Sequence, residues 1–546
     1  MEFYCQNFDD SLERQESFRR PKYVLLKPLC KCLMNLWVFI HSVIDCIIDL
    51  CFSFYYNDSK RTQIPTVKES LLMESAVSLA ERIRNKEVSA EVVVQGFINR
   101  ICEVNPLINS VVDERYEVAL QEARDADTFL ASTTLTVDEL KLQKPFLGVP
   151  FSTKDSTAVK GMHHTLGLVS RRNVKATEDA DVVILLKKAG GILVAVTNIP
   201  EYNLWCESRN NVYGQTLNPY NTTRTVGGSS GGEASIIAVS GSPMGIGTDI
   251  GGSIRMPAFY CGIFGHKPTT GLTPLKGLTK RTGLEETTMV TAGPLCRYAQ
   301  DLLPLLKVLV GNNISQLQLE AEVSLNDIQF FYMEESGDLR SSSVSEEMRQ
   351  ALQRAVSHFQ DLSKTPVQKV KFSGMRYSFK LWRYWMTREP FDFSKELADG
   401  KGTVSVWKEL PKKLLGQSDF TFAAIMNLIN RDILPQENPV WAESTTEHLL
   451  SEILGKLGDN GVLLYPSHPF PAVYHYSSLL RPFNFGYWAV FNVLKLPVTQ
   501  VPMGLCKDGL PLGIQVVAAP YKDHLCIAVA KELQKAFGGW VPPFPV

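Results

Sequence analysis

The chain has 546 residues, 45% of them hydrophobic and 21% charged, with a formal net charge of -1. That composition marks a folded protein with room for one large catalytic domain, and the near-zero charge removes any electrostatic case for a nucleic-acid partner. Eleven cysteines form no CxxC pair and no Cys/His set at zinc spacing, so free thiols are expected, and no metal or cofactor.

Residues 1–32 are polar and basic (Arg14, Arg19, Arg20, Lys22, Lys27, Lys31), and 33–56 then run 24 residues without Lys or Arg. The run is long enough to span a bilayer, too long for a signal peptide, and lacks a small-residue cleavage site. It is not uniformly apolar. His41, Asp45 and Asp49 recur every four residues and form one polar stripe on a helix. Twelve Leu, Ile, Phe and Val side chains favour insertion by roughly 4 to 7 kcal/mol, and two aspartates near the middle oppose it by about 5 to 7. Because these nearly cancel, the expected membrane anchor either spans with its stripe on a partner helix or lies in the interface with Trp37, Phe39, Phe52 and Phe54 immersed. An amphipathic helix packed on the protein itself is the third arrangement. A spanning helix, with six basic residues before it and Lys60, Arg61 and Lys68 after it, would place the N-terminus in the cytosol. Asn221 and Asn313 open sequons that accept glycans only in a secretory compartment.

A polar linker, 57–65, leads to the main domain, 66–546. Helical spacing covers 71–99 and helix-forming residues continue over 116–130. A short apolar strand at 146–154 ends on Lys154, followed by a helix over 181–189 and a strand over 192–197. This βαβ rhythm predicts an α/β fold: a large, mostly parallel mixed sheet flanked by helices on both faces, with function gathered at strand ends. Further on, 301–310 reads as a helix, 375–385 carries an aromatic cluster, and Phe422, Ile425, Met426, Ile429 and Ile433 make a helical stripe. Core packing is the plain reading of both, a lipid-facing cap or acyl channel the functional one. Strands are expected at 461–465, 496–502 and 512–518.

The chemistry concentrates in 227–258, GGSSGGEASIIAVSGSPMGIGTDIGGSIRMPA, which holds two glycine-wrapped serines, Ser229 and Ser253. Glycine beside a hydroxyl lets a substrate approach and lets several backbone N–H groups point into one space. Serine needs a base. Of nine histidines only His266 is near the block, and no GxSxG surrounds either serine. Lys154, at the end of an apolar strand, can be desolvated enough to act as a neutral general base.

Residues 227–258 resemble, position by position, the signature of the amidase signature family, and Lys154 in VPFSTKDS matches the family lysine. The stretches RPFNFGY (481–487), LPVTQVPMGL (496–505), LPLGIQVVA (510–518) and FGGWV (537–541) look most like the family's fatty-acid amide hydrolases. The resemblance implies a Ser-cis-Ser-Lys triad in which Ser253 is acylated, Ser229 bridges after a cis peptide and Lys154 is the base. It also implies oxyanion donors at the N–H groups of Ile250, Gly251, Gly252 and Ser253, with Ser230, Asp249 and Arg255 supporting the triad. The expected reaction is hydrolysis of fatty-acid primary amides and N-acylethanolamines at a membrane, on an endomembrane or lipid-droplet surface; a homodimer is compatible with this. The alternatives are a glutaminase-like amidotransferase subunit with a polar pocket, and a membrane-bound scaffold without activity.

Overall fold

The structure is a computed structural model that describes residues 22–57 and 62–545, with side chains from residue 33. Arg14, Arg19, Arg20, Lys60 and Arg61, on which the expected orientation rests, lie outside the described residues, as do the side chains of Lys22, Lys27 and Lys31.

One eleven-stranded sheet organises the domain. In chain order its strands are β1 (Val111–Glu114), β2 (Pro150–Lys154), β3 (Ile192–Thr197), β4 (Met244–Asp249), β5 (Phe264–Lys267), β6 (Thr291–Cys296), β7 (Gln329–Tyr332), β8 (Gln368–Lys369), β9 (Gly461–Pro466), β10 (Val498–Leu505) and β11 (Pro511–Ala518). Their spatial order is β1-β3-β2-β4-β6-β5-β10-β11-β9-β7-β8. The sheet is large, mixed and flanked by helices, as expected. Its parallel pairing, however, is confined to two flanks, β3–β2–β4 and β9–β7–β8, while the centre is antiparallel. The βαβ rhythm holds on those flanks, over β2, the helix Asp181–Lys188 and β3 and again over β7, the helix Glu346–Leu362 and β8. At the centre, β10 and β11 are joined too closely for a crossover, so they pair as a hairpin.

Every residue of β2, β3 and β4 is buried, which explains why these strands read as continuous apolar or small runs rather than alternating ones. A second, smaller hydrophobic cluster, including Leu166, Leu168, Phe393, Leu397, Ile425 and Leu428, anchors the segment around residues 390–430 beside the main core.

The N-terminal helix α1 (Lys22–Tyr56) contains the whole apolar run and begins upstream of it. Its polar stripe is turned toward the domain: Arg481 Nε donates to Asp45 Oδ1 and Arg481 Nη1 to Asp49 Oδ1, each at 2.8 Å.

Candidate active site

Strands β2 and β4 are parallel neighbours, so both end at the same edge of the sheet, and each delivers a side chain there. Lys154 closes β2 and Thr248 and Asp249 close β4. Ser253 lies in the loop from β4 to helix α3 (Arg255–Tyr260), and Ser229 lies two residues before helix α2 (Gly231–Ala238), with Ser230 at its N-cap. The two serine segments touch, Ser230 N–H donating to the Ser253 carbonyl at 3.2 Å. The Gly228–Ser229 peptide is cis. A Cβ at Gly228 would sit 2.3 Å from the Trp205 carbonyl oxygen, and one at Gly252, whose φ is +119°, would sit 2.4 Å from Trp488 Cβ. Both positions therefore require glycine.

Lys154 is fully buried, and its Nζ donates to Ser229 Oγ at 2.8 Å and to Thr248 Oγ1 at 2.7 Å. Both partners are hydroxyls. Burial pushes its pKa down to about 7, against the pull of Asp249 and Glu233 in the other direction. Glu233 is itself pushed up to about 7 by burial, while Ser152 Oγ at 2.5 Å and Thr197 Oγ1 at 2.8 Å favour its ionised form. A lysine held near neutrality beside a serine hydroxyl can accept its proton.

The loop carrying Ser253 is built around a buried ion pair. Burial disfavours a charge on Asp249, but Arg255, Lys267 and the Ile254 N–H hold its carboxyl well below the usual range. It accepts from Gly252 N–H at 2.6 Å, Ile254 N–H at 3.0 Å, Asn492 Nδ2 at 2.9 Å and Arg255 Nε at 3.1 Å. Arg255 Nη2 makes a second bond to Asp249 at 3.1 Å, and the other donors go to the Trp488 carbonyl, Gln515 Oε1 and Asn492 Oδ1. The Gly252 N–H is thus committed inside the loop. Among the described residues the N–H groups of Ile250, Gly251 and Ser253 have no protein acceptor and stay available to a ligand oxygen. Ser230 links the segments through its backbone, and its buried hydroxyl has no hydrogen-bond partner among the described residues.

Removing one member of a fully buried, hydrogen-bonded pair leaves an uncompensated charge. Arg255→Met is therefore expected to destabilise the fold by about 3 to 5 kcal/mol. The check is the denaturant midpoint; an unchanged midpoint would mean that the pair does not support the loop.

Ser253 lines two cavities. The larger, about 240 Å³, is walled mainly by apolar side chains, among them Met256, Trp382, Met426, Ile429, Phe485 and Trp488. Leu434 and Pro482, both exposed, mark its opening. The smaller, about 50 Å³, also touches Ser229, Thr248, Thr279 and Arg281. The stripe expected over 422–433 splits its faces: on the helix Phe422–Asp432, Ile425 and Leu428 are core while Met426 and Ile429 line the cavity. The aromatic cluster divides likewise. Phe379 and Trp382 face the cavity, whereas Tyr384 is buried and Trp385 bonds Thr446 Oγ1 at 2.9 Å.

His266 lies elsewhere, between Thr499 Oγ1 at 2.8 Å and Asp523 Oδ1 at 3.1 Å, and no histidine among the described residues hydrogen-bonds either serine. Asn221 is 4% exposed and its amide oxygen accepts from Thr223 N–H, so the first sequon is folded inward. Thr248, Asn492 and Gln515 escaped the sequence reading. Thr248 was within reach, because it sits one residue before Asp249 at the end of the strand beside Lys154. Asn492 and Gln515 arrive from more than 230 residues away and carry no local signal.

The sequence profile of the family described as Amidase matches residues 92–527. Fatty-acid amide hydrolase 2 of Homo sapiens is 45% identical over 488 residues, covering 87% of this chain and 91% of that protein. Fatty-acid amide hydrolase 2-B of Danio rerio is 44% identical over 488 residues, covering 88% of this chain and 92% of that protein. A solved fatty acid amide hydrolase superposes with a TM-score of 0.70 at 21% identity, covering 88% of each chain, a likeness of fold.

Proposed function

The chain belongs to the amidase family and is an amide-hydrolysing enzyme, and from that premise we propose that it cleaves fatty-acid amides, both primary amides and N-acylethanolamines, to a free fatty acid and ammonia or an amine. The observation that carries this reading is that Ser253, whose loop touches the segment of the Lys154-bonded Ser229, lines a cavity walled by apolar side chains, a surface suited to an acyl chain rather than to glutamine. The similarity to fatty-acid amide hydrolase 2 along most of both chains supports the same substrate class.

In the mechanism, neutral Lys154 takes the proton of Ser229 Oγ as Ser229 takes that of Ser253 Oγ, which attacks the amide carbon. The developing oxyanion is held by the N–H groups of Ile250, Gly251 and Ser253. Gly252 acts through Asp249, which fixes the loop that aims the other donors. The proton returns through Ser229 to the nitrogen as the C–N bond breaks, so the amine leaves neutral and Ser253 is acylated. Water, activated along the same path, attacks the ester, releases the acid and restores Ser253. Helix α1 keeps the enzyme at an endomembrane or lipid-droplet surface, where such substrates dissolve.

The purified chain incubated separately with oleamide and with glutamine tests the substrate class. Release of oleate and ammonia from oleamide, with glutamine left intact, is expected. Turnover of glutamine alone would replace this reading with an amidotransferase subunit, and no turnover of either, without covalent labelling of Ser253 by a fluorophosphonate, would replace it with an inactive scaffold.

A further inference from the structure

Helix α1 has two unlike sides. His41, Asp45, Asp49, Phe52 and Tyr56 recur at one-turn spacing and face the domain. Asp45 is only 4% exposed, and Arg481, itself buried, bonds its carboxylate, its backbone carbonyl and the Asp49 carboxylate. Trp37 Nε1 donates to the Leu339 carbonyl at 2.8 Å, and Tyr56 stacks on Tyr474 with ring centroids 5.8 Å apart. The opposite side is bare and apolar: Phe39 is 65% exposed, Ile47 54% and Phe54 78%.

The docked contacts run from Trp37 to Tyr56, about 28 Å of helix at 1.5 Å per residue, close to the full hydrocarbon thickness of about 30 Å. A helix held along that length against a folded, water-soluble body cannot also cross a bilayer. The two aspartates that make insertion nearly neutral are consumed by Arg481, which removes any need for a partner helix in the membrane. Arg481 also forms part of the wall of the larger cavity, next to exposed Pro482 at its opening.

We propose that α1 lies in the plane of a lipid surface, clasped to the domain by Arg481 through Asp45 and Asp49, and so holds the cavity opening at the lipid from which substrate enters. The in-plane placement stands by itself; the substrate-entry part rests on the fatty-amide reading above.

Full-length chains carrying a spin label at Phe39→Cys, Ile44→Cys, Ile47→Cys or Phe54→Cys, bound to phosphatidylcholine vesicles, report the depth of each position by collision with oxygen and with a water-soluble nickel complex. All four are expected about 5 to 10 Å below the phosphates, varying with angle around the helix and not with distance along it. Ile44 and Ile47 at mid-bilayer with Phe39 and Phe54 near opposite surfaces, or four water-exposed labels, would overturn the placement. These readouts do not depend on any substrate, so failure of the fatty-amide reading leaves them intact.

For entry, Asp45→Asn with Asp49→Asn is expected to raise KM for vesicle-dissolved oleamide about tenfold, leaving kcat and the kinetics on a water-soluble short-chain amide unchanged. Unchanged KM, or equal losses on both substrates, would overturn the coupling.

Discussion

Ser253→Ala is expected to lower kcat on oleamide by about 10⁵- to 10⁶-fold, because in the proposed mechanism it removes the oxygen that carries the acyl group, and the remaining machinery then has nothing to activate. The fold should tolerate the change. Ser253 contributes its backbone to the loop through the Ser230 N–H bond, while the loop is held by Asp249 and Arg255, neither of which touches the Ser253 hydroxyl. Fluorophosphonate labelling should vanish with the activity while the denaturant midpoint stays put. Substantial residual turnover, or labelling that persists on Ser229, would assign the nucleophile to the other serine. Ser229→Ala makes the useful contrast. It breaks the hydrogen bond to Lys154 but leaves the attacking oxygen, so slow acylation of Ser253 should remain detectable.

Lys154→Ala is expected to cost about 10² to 10⁴ in kcat/KM at neutral pH, the range that a positioned general base supplies. The pH profile makes the test specific. In the proposed mechanism the wild-type lysine acts only when deprotonated, and burial lowers its pKa to about 7, so activity should climb as pH rises through about 7 and then level off. In Lys154→Ala that limb should disappear, and the remaining activity should grow slowly into the alkaline range. Glu233 also titrates near 7, and Glu233→Gln separates the two groups. An ionised Glu233 raises the lysine pKa, so replacing it by a neutral amide should move the limb to lower pH while preserving it. A limb that vanishes in Glu233→Gln but survives in Lys154→Ala would transfer the titration to the carboxyl.

Much of this site was legible because its constraints are local. Glycines flanking Ser229 and Ser253 and a lysine closing an apolar strand describe backbone and side chains within a few residues of one another, whereas Asp249 and Arg255 entered only through the family resemblance. The periodicity of α1 likewise marked its polar stripe, and the apolar runs located β3, β9 and β11 closely. The sheet was harder. A short buried strand looks alike whether its neighbour runs parallel or antiparallel, so the rhythm around β2 and β3 was extended to a centre that pairs by hairpin instead.

By itself, then, the sequence determined the family, three candidate residues for the proposed chemistry and the existence of an apolar helix bearing two aspartates. Tertiary structure decided what state those groups are in. Burial lowers the Lys154 pKa to about 7, and the Gly252 N–H is bound within the loop because Asp249 folds back onto it. The stripe of α1 meets Arg481, more than 430 positions away, and not a second helix. Burial, strand register and the partner of a charged stripe depend on segments distant in the chain, and no local pattern encodes which of them will arrive.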